Sequence, residues 1–104
     1  MNINKFTQKM QEALVAAQQL AVEHGHQEVD VEHLATALLS QENGLIPRLL
    51  ERMELNAHEL RTSVEGLLTR KPSVSGPGYD ADRITISQRL SKMLVTAESE
   101  AKRL

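Results

Sequence analysis

Apolar residues recur along Phe6–Ala21, FTQKMQEALVAAQQLA, with the spacing of one helical face. Phe6, Met10, Ala13, Leu14, Ala17, Leu20 and Ala21 fall on one stripe, the i, i+4, i+7, i+8 pattern of a helix that buries a single side. Shifted by 80 positions, Ile86–Ala101 reads ISQRLSKMLVTAESEA. Its stripe is Ile86, Leu90, Met93, Leu94, Ala97 and Ala101, continuing to Leu104. Polar positions recur as well: Gln8 returns as Gln88, Lys9 as Arg89 and Thr7 as Ser87. Matching polar positions argue for one supersecondary unit used twice rather than two unrelated Ala/Leu-rich helices.

Between the two copies the pattern predicts three more helices. The first helix runs from about Asn4, a capping residue, to His24. Gly25 ends it, because glycine takes the left-handed conformation after a helix without strain. Asp30 is a good cap for the second helix, with Val29 placed to staple onto Leu34. That helix carries Val31, Leu34, Ala35, Leu38 and Leu39 and ends near Asn43-Gly44. A short third helix accepts Pro47 in its first turn. Asn56 caps the fourth, with Glu59 placed to complete a capping box and Leu55 to staple onto Leu60. Lys71–Arg83, KPSVSGPGYDADR, is loop by composition. Thr85, with Gln88 three residues on, starts the fifth helix. Strand-like alternation is absent.

The architecture implied is all-α, with short connections and antiparallel neighbours in a bundle. Residues 1–70 form a first repeat of four helices, 71–84 an inter-repeat loop, and 85–104 the first helix of a second repeat. A lone fifth helix with so apolar a stripe needs cover. The expectation is that the chain is a piece of a longer protein, cut inside the second repeat. Docking of that helix on the first repeat, or on a second molecule, is the alternative.

Composition narrows the function. The 104 residues carry a formal net charge of −2, with Phe6 and Tyr79 the only aromatic residues and no cysteine. A nucleic-acid binder shows a basic stripe and stacking platforms, and neither is present. A helical DNA-binding module also lacks its Arg/Lys-rich recognition helix. No apolar run is long enough for a signal peptide or a membrane span, so no membrane partner is expected. His24, His26 and His33 form H-x-H-x6-H, which matches no common zinc pattern. His24 and His26 read as polar ends of a helix and loop, and His33 as a first-turn residue whose ring packs or hydrogen-bonds. Glu32 and His33 are adjacent and point about 100° apart on a helix, so they make no acid–base pair. No nucleophile motif, paired carboxylates or GxxxxGK[ST] loop is present. Catalysis by this chain is not expected.

Several motifs in order carry a family resemblance. FTQKMQEALVAAQQLA, His26-x-x-Val29-x-x-Glu32-His33-Leu34, Ala37-Leu38-Leu39, Gly44-Leu45 and Leu49-Leu50 together resemble the N-terminal double-repeat domain of Clp-type AAA+ chaperones. KFTQKMQEAL and Arg70-x-Pro72-x-Val74-x-Gly76-x-Gly78 resemble the disaggregase branch most. The resemblance covers the whole chain. It implies a non-catalytic domain, a globular pair of four-helix repeats tethered to two ATPase modules in a cytoplasmic homohexamer. Such a domain helps engage unfolded or aggregated polypeptides for threading, in cooperation with the DnaK chaperone system, which contacts another region. No cofactor is implied in this domain; ATP and Mg belong to the ATPase modules. An adaptor-docking domain of a Clp protease unfoldase is the alternative within the family, and the Pro72–Gly78 loop argues against it.

The candidate substrate-binding residues are Thr7, Leu90, Met93, Leu94 and Ala97. Thr7 carries over from the resemblance; its competing role is a hydroxyl assisting the helix start. The other four belong to the fifth-helix stripe. Exposed apolar side chains suit unfolded segments because apolar burial is non-directional, and Met93 adapts to varied contacts. Their competing role is ordinary core, since Leu90 and Leu94 match Met10 and Leu14.

Overall fold

The computed structural model describes residues 3–74 and 76–103, with the side chains of residues 3–7, Pro77, Ala81 and Ala101 outside that description. Asn4, Phe6, Thr7 and Leu104, all named from the sequence, therefore lie outside the described side chains. Helix α1 spans Ile3–Glu23, and its end is set by local chemistry. The His26 N–H donates to the Ala21 carbonyl at 2.8 Å and the Gly25 N–H to the Val22 carbonyl at 3.1 Å. This is a Schellman closure with Gly25 in the left-handed region at φ 67°. A side chain there would also meet the Val74 carbonyl oxygen at 2.6 Å. Glycine thus both ends α1 and lets the loop that follows α4 close onto it, through the Val74 N–H donating to the Gly25 carbonyl at 2.7 Å.

Helix α2 spans Val31–Ser40, α3 Leu45–Arg52 and α4 Ala57–Arg70. The second helix ends earlier than its apolar pattern suggests. Gln41 is extended and Asn43 takes φ 55°, so the chain turns before Gly44. The Gln41 side chain then reaches across and donates to the Lys9 carbonyl at 2.8 Å, joining the end of α2 to α1. Asn56 caps α4 by accepting from the Glu59 N–H at 3.1 Å. Helix α3 has an apolar side, yet none of its residues is buried, and Leu45, Leu49 and Met53 are exposed.

Two short strands correct the expectation of a strand-free chain, within a fold that stays all-α. Glu28–Val29 (β1) and Thr85–Ile86 (β2) pair in parallel, Glu28 beside Thr85 and Val29 beside Ile86. The Thr85 N–H donates to the Gln27 carbonyl and the Ser87 N–H to the Val29 carbonyl, at 3.2 and 3.0 Å. Strands of two residues leave no alternation to read. Their effect is to move the start of the last helix. Thr85 lies in β2 and does not cap, Ile86 is an exposed strand residue outside the helical stripe, and α5 spans Gln88–Arg103. Ser87 is its cap, accepting from the Leu90 N–H at 3.0 Å.

The core gathers Ala13, Ala17 and Ala21 of α1, Val29 of β1, Leu34 and Ala37 of α2, and Leu90 of α5. Alanines four apart on α1, facing Ala37, let the helix axes approach closely. The packing loses little side-chain entropy, because alanine has none to lose. Helix α4 packs on the other side of α2 and buries Leu68.

Candidate functional site

The fifth helix reaches the other helices through one residue pair and one polar cluster. Leu90 is fully enclosed, at 0 % exposure, and Leu94 packs half-buried beside it. One turn further on, the same stripe leaves the body of the protein: Met93 is 39 % exposed and Ala97 is exposed. The stripe is core at its first turn and surface beyond. Of the residues singled out from the sequence, Leu90 is therefore withdrawn from the surface, which corrects its reading as an accessible contact. Met93, Leu94 and Ala97 remain together along one accessible edge. Thr7 lies outside the described side chains.

The polar cluster sits at the base of α5. Asp30, the cap of α2, accepts on Oδ1 from the Val31 N–H at 2.7 Å, from Ser87 Oγ at 2.8 Å and from Arg89 Nε at 3.1 Å. Its Oδ2 accepts from Lys71 Nζ at 3.2 Å. Glu32 pairs with Lys71 at 3.3 Å and with Arg89 Nη2. Two carboxylates on the first turn of α2 are thus shared by two cations, one just past α4 and one on α5. Burial opposes ionisation of Asp30, but the Val31 N–H, Ser87, Arg89 and Lys71 outweigh it and hold the carboxyl well below the carboxylate range. Glu32 is lowered the same way: burial opposes, and the Arg89 hydrogen bond leads the groups that prevail. Lys71 is raised because its bonds to Asp30 and Glu32 exceed the cost of its burial. Arg89 is mostly exposed, so water screens its bonds and each contributes little.

Beneath this cluster lie two buried histidines. The Asp30 N–H donates to His33 Nδ1 at 2.9 Å, so His33 takes the place of the usual Glu or Gln in a capping box. That bond makes Nδ1 the acceptor and leaves the proton of the neutral ring on Nε2. His33 Nε2 then donates to His26 Nδ1 at 2.7 Å. Burial first, then His26 and Lys71, push His33 down to about 4. Burial, His24 and Lys71 lower His26. Among the described residues no group of three or more His, Cys, Asp or Glu could hold a metal ion.

Sequence reasoning missed this joint. Asp30 was legible as a cap, but Glu32, Lys71, Ser87 and Arg89 converge from segments up to 59 positions apart. The one available signal was the recurrence of a cation at Lys9 and Arg89. The two nevertheless differ: Lys9 pairs locally with Glu12 at 3.7 Å, and Arg89 bridges to another helix. Elsewhere a broad open groove of about 610 Å³ runs between α1 and α2, with Lys9, Glu12, Glu23, Glu42 and Glu65 along it. It lacks the apolar enclosure of a small-molecule site. No described helix is long and apolar enough to cross a membrane.

Among the described residues these features define an all-α module with an apolar edge and without a catalytic constellation. The Clp repeat (R) N-terminal domain matches residues 5–104 of the chain. The chain belongs to this family, whose N-terminal domain is distinct from the ATPase module. The chaperone protein ClpB of Nitratidesulfovibrio vulgaris is 50 % identical over 104 residues, all of this chain and 12 % of that protein. ClpB of Bacillus cereus is 43 % identical over the same length, and ClpB of Clostridium perfringens 33 % identical over 102 residues. The chain spans about one-eighth, 12 %, of the length of these relatives.

Proposed function

We propose that this domain engages unfolded or aggregated polypeptides for an ATP-dependent protein disaggregase of the ClpB type. The observation that carries the reading is the way the α5 stripe leaves the core: Leu90 anchors the helix, and Met93, Leu94 and Ala97 present an apolar edge beyond it. Apolar contact of this kind is non-directional, and methionine adapts to different partners, which suits a binder of sequences without a common motif. Weak capture is the useful regime, because a captured segment must be handed on. Thr7, named from the family resemblance, belongs to the same proposal as a polar contact. So do the partners of the whole protein: a homohexameric ring of ATPase modules holding ATP and Mg, a DnaK system acting through other regions, and a cytoplasmic location.

The test is an NMR titration of the chain with a permanently denatured model protein, with the native form of that protein as control. Shifts are expected at Met93, Leu94 and Ala97 with the denatured form alone. Met93→Asp and Ala97→Asp should each weaken binding about tenfold, equivalent to about 1.4 kcal/mol. An unchanged spectrum, or equal binding of both forms, overturns the reading. Tight binding of one small folded adaptor with none to denatured chains would favour the protease-adaptor role instead.

A further inference from the structure

We propose that α3 is a docking surface for a selective partner: an amphipathic helix that sets a row of acidic side chains beside a row of apolar ones. The surface is two parallel rows on one helix. Leu45, Leu49 and Met53 recur at every fourth position and are 48 %, 45 % and 65 % exposed. The Met53 N–H donates to the Leu49 carbonyl at 3.0 Å, which keeps Met53 in line although it is the C-cap. Arg48 and Arg52, both exposed, form the second row. Each arginine follows a leucine of the first row by three residues. At 3.6 residues per turn the two rows therefore lie about 60° apart. Ile46 and Leu50, on the other flank of the apolar row, are half-buried, so the body of the protein lies on that side.

The arginine row is unmatched within the chain. Among the described residues neither Arg48 nor Arg52 is in an ion pair, whereas Arg61, Arg83, Arg89 and Arg103 each are. Glu51 is the one acidic residue of α3, and it stands nearly opposite Leu49 on the helix. Two cations one turn apart, on a chain of net charge −2, favour an anionic partner at this place. Exposed arginines alone would select little. Beside an apolar row they do select, because apolar burial supplies affinity while the charges decide which partner fits. Rows spaced by four residues pack against rows of the same spacing on a second helix, the commonest helix–helix contact. The occupant is therefore helical, with carboxylates one turn apart.

The α5 edge has a different character. Glu98 and Glu100 beside it pair locally with Lys102 and Arg103, so it presents no row of one sign. That suits segments without a common motif, and the α3 surface suits one class of partner. A lipid surface fits α3 poorly. The helix has only eight residues, Glu54 and Glu59 lie just past its end, and the acidic chain as a whole is repelled by anionic headgroups.

The test uses the 104-residue chain and a lactam-bridged helical peptide of leucine, alanine and glutamate, with a leucine row beside glutamates one turn apart. A twin with lysine at each glutamate position is the control. By fluorescence anisotropy the acidic peptide should bind about tenfold more tightly than its twin, a gap that narrows as salt is added. Its NMR footprint should fall on the Leu45, Leu49 and Met53 amides. R48E/R52E should reverse the preference, and Leu49→Asp should weaken both peptides. The reversal is a gain of binding, which an unfolded variant cannot imitate. Met93→Asp should leave peptide binding unchanged, so this surface and the α5 edge stand or fall separately. Equal binding of the two peptides, a preference that survives R48E/R52E, or shifts confined to α5 overturns the proposal. Sedimentation of the chain with phosphatidylglycerol vesicles, lost in R48E/R52E, would assign the surface to lipid instead. A dimer of the chain alone, lost in the same variant, would assign it to a second copy. Either result overturns the proposal.

Discussion

Helices α1 and α5 carry the same pattern and meet different fates. Ala13 and Ala17 are fully buried; their counterparts at the 80-residue shift, Met93 and Ala97, are exposed. Met10 lies half-buried at the margin of the core, whereas its counterpart Leu90 is completely enclosed. Leu14 and Leu94 are both half-buried, and Val15 and Val95 are both exposed, at 55 % and 63 %. The shared pattern therefore sets which side of each helix is able to be buried. Whether it is buried depends on a neighbour: α1 packs against α2, and α5 touches the other helices mainly through its opening turns. An apolar side without a neighbour is available to a partner, and that makes α5 rather than α1 the candidate binding element.

The sharpest way to break this comparison is inside α5 itself. Leu90→Ala should cost about 2–5 kcal/mol, the range for emptying a closed core site, and Met93→Ala three residues on about 0.5 kcal/mol. Chemical denaturation of the two variants measures the gap. Equal costs would mean that α5 is not docked as described. Next in size is a matched enlargement at equivalent positions. Ala17→Leu drives a larger side chain into the α1–α2 contact and should cost about 1–3 kcal/mol, whereas Ala97→Leu should stay within about 0.5 kcal/mol. A thermal melt of each resolves the difference, and a large cost for Ala97→Leu would reveal cover over that edge. The smallest effect sits at the joint. Ser87→Ala removes both the α5 cap and a bond to Asp30, and should cost about 1 kcal/mol. Exchange at Leu90 should report that loss while α2 amides remain protected.

Much of the local architecture was legible because it is written in short-range chemistry. Gly25, Asp30 and Asn56 mark helix ends by what each can do to the nearest backbone groups, and all three do so in the structure. The buried face of α1 followed from a 3.6-residue period. Three things were not legible. The β1–β2 pair is too short to have a period, and it moved the α5 cap from Thr85 to Ser87. His33 as the reciprocal partner of Asp30 replaces the residue types that normally betray a capping box. Leu90 and Met93 look equivalent on a helical wheel, and only their depth tells them apart.

Periodicity and caps were enough to specify five α-helices and their order, because each rests on residues within a turn or two of one another. Four charged groups and two histidines meeting at one joint, and a stripe that is core at Leu90 and surface by Ala97, depend on elements brought together from opposite ends of the chain. Burial and charge pairing are properties of distance in space, and only the packed chain sets those distances.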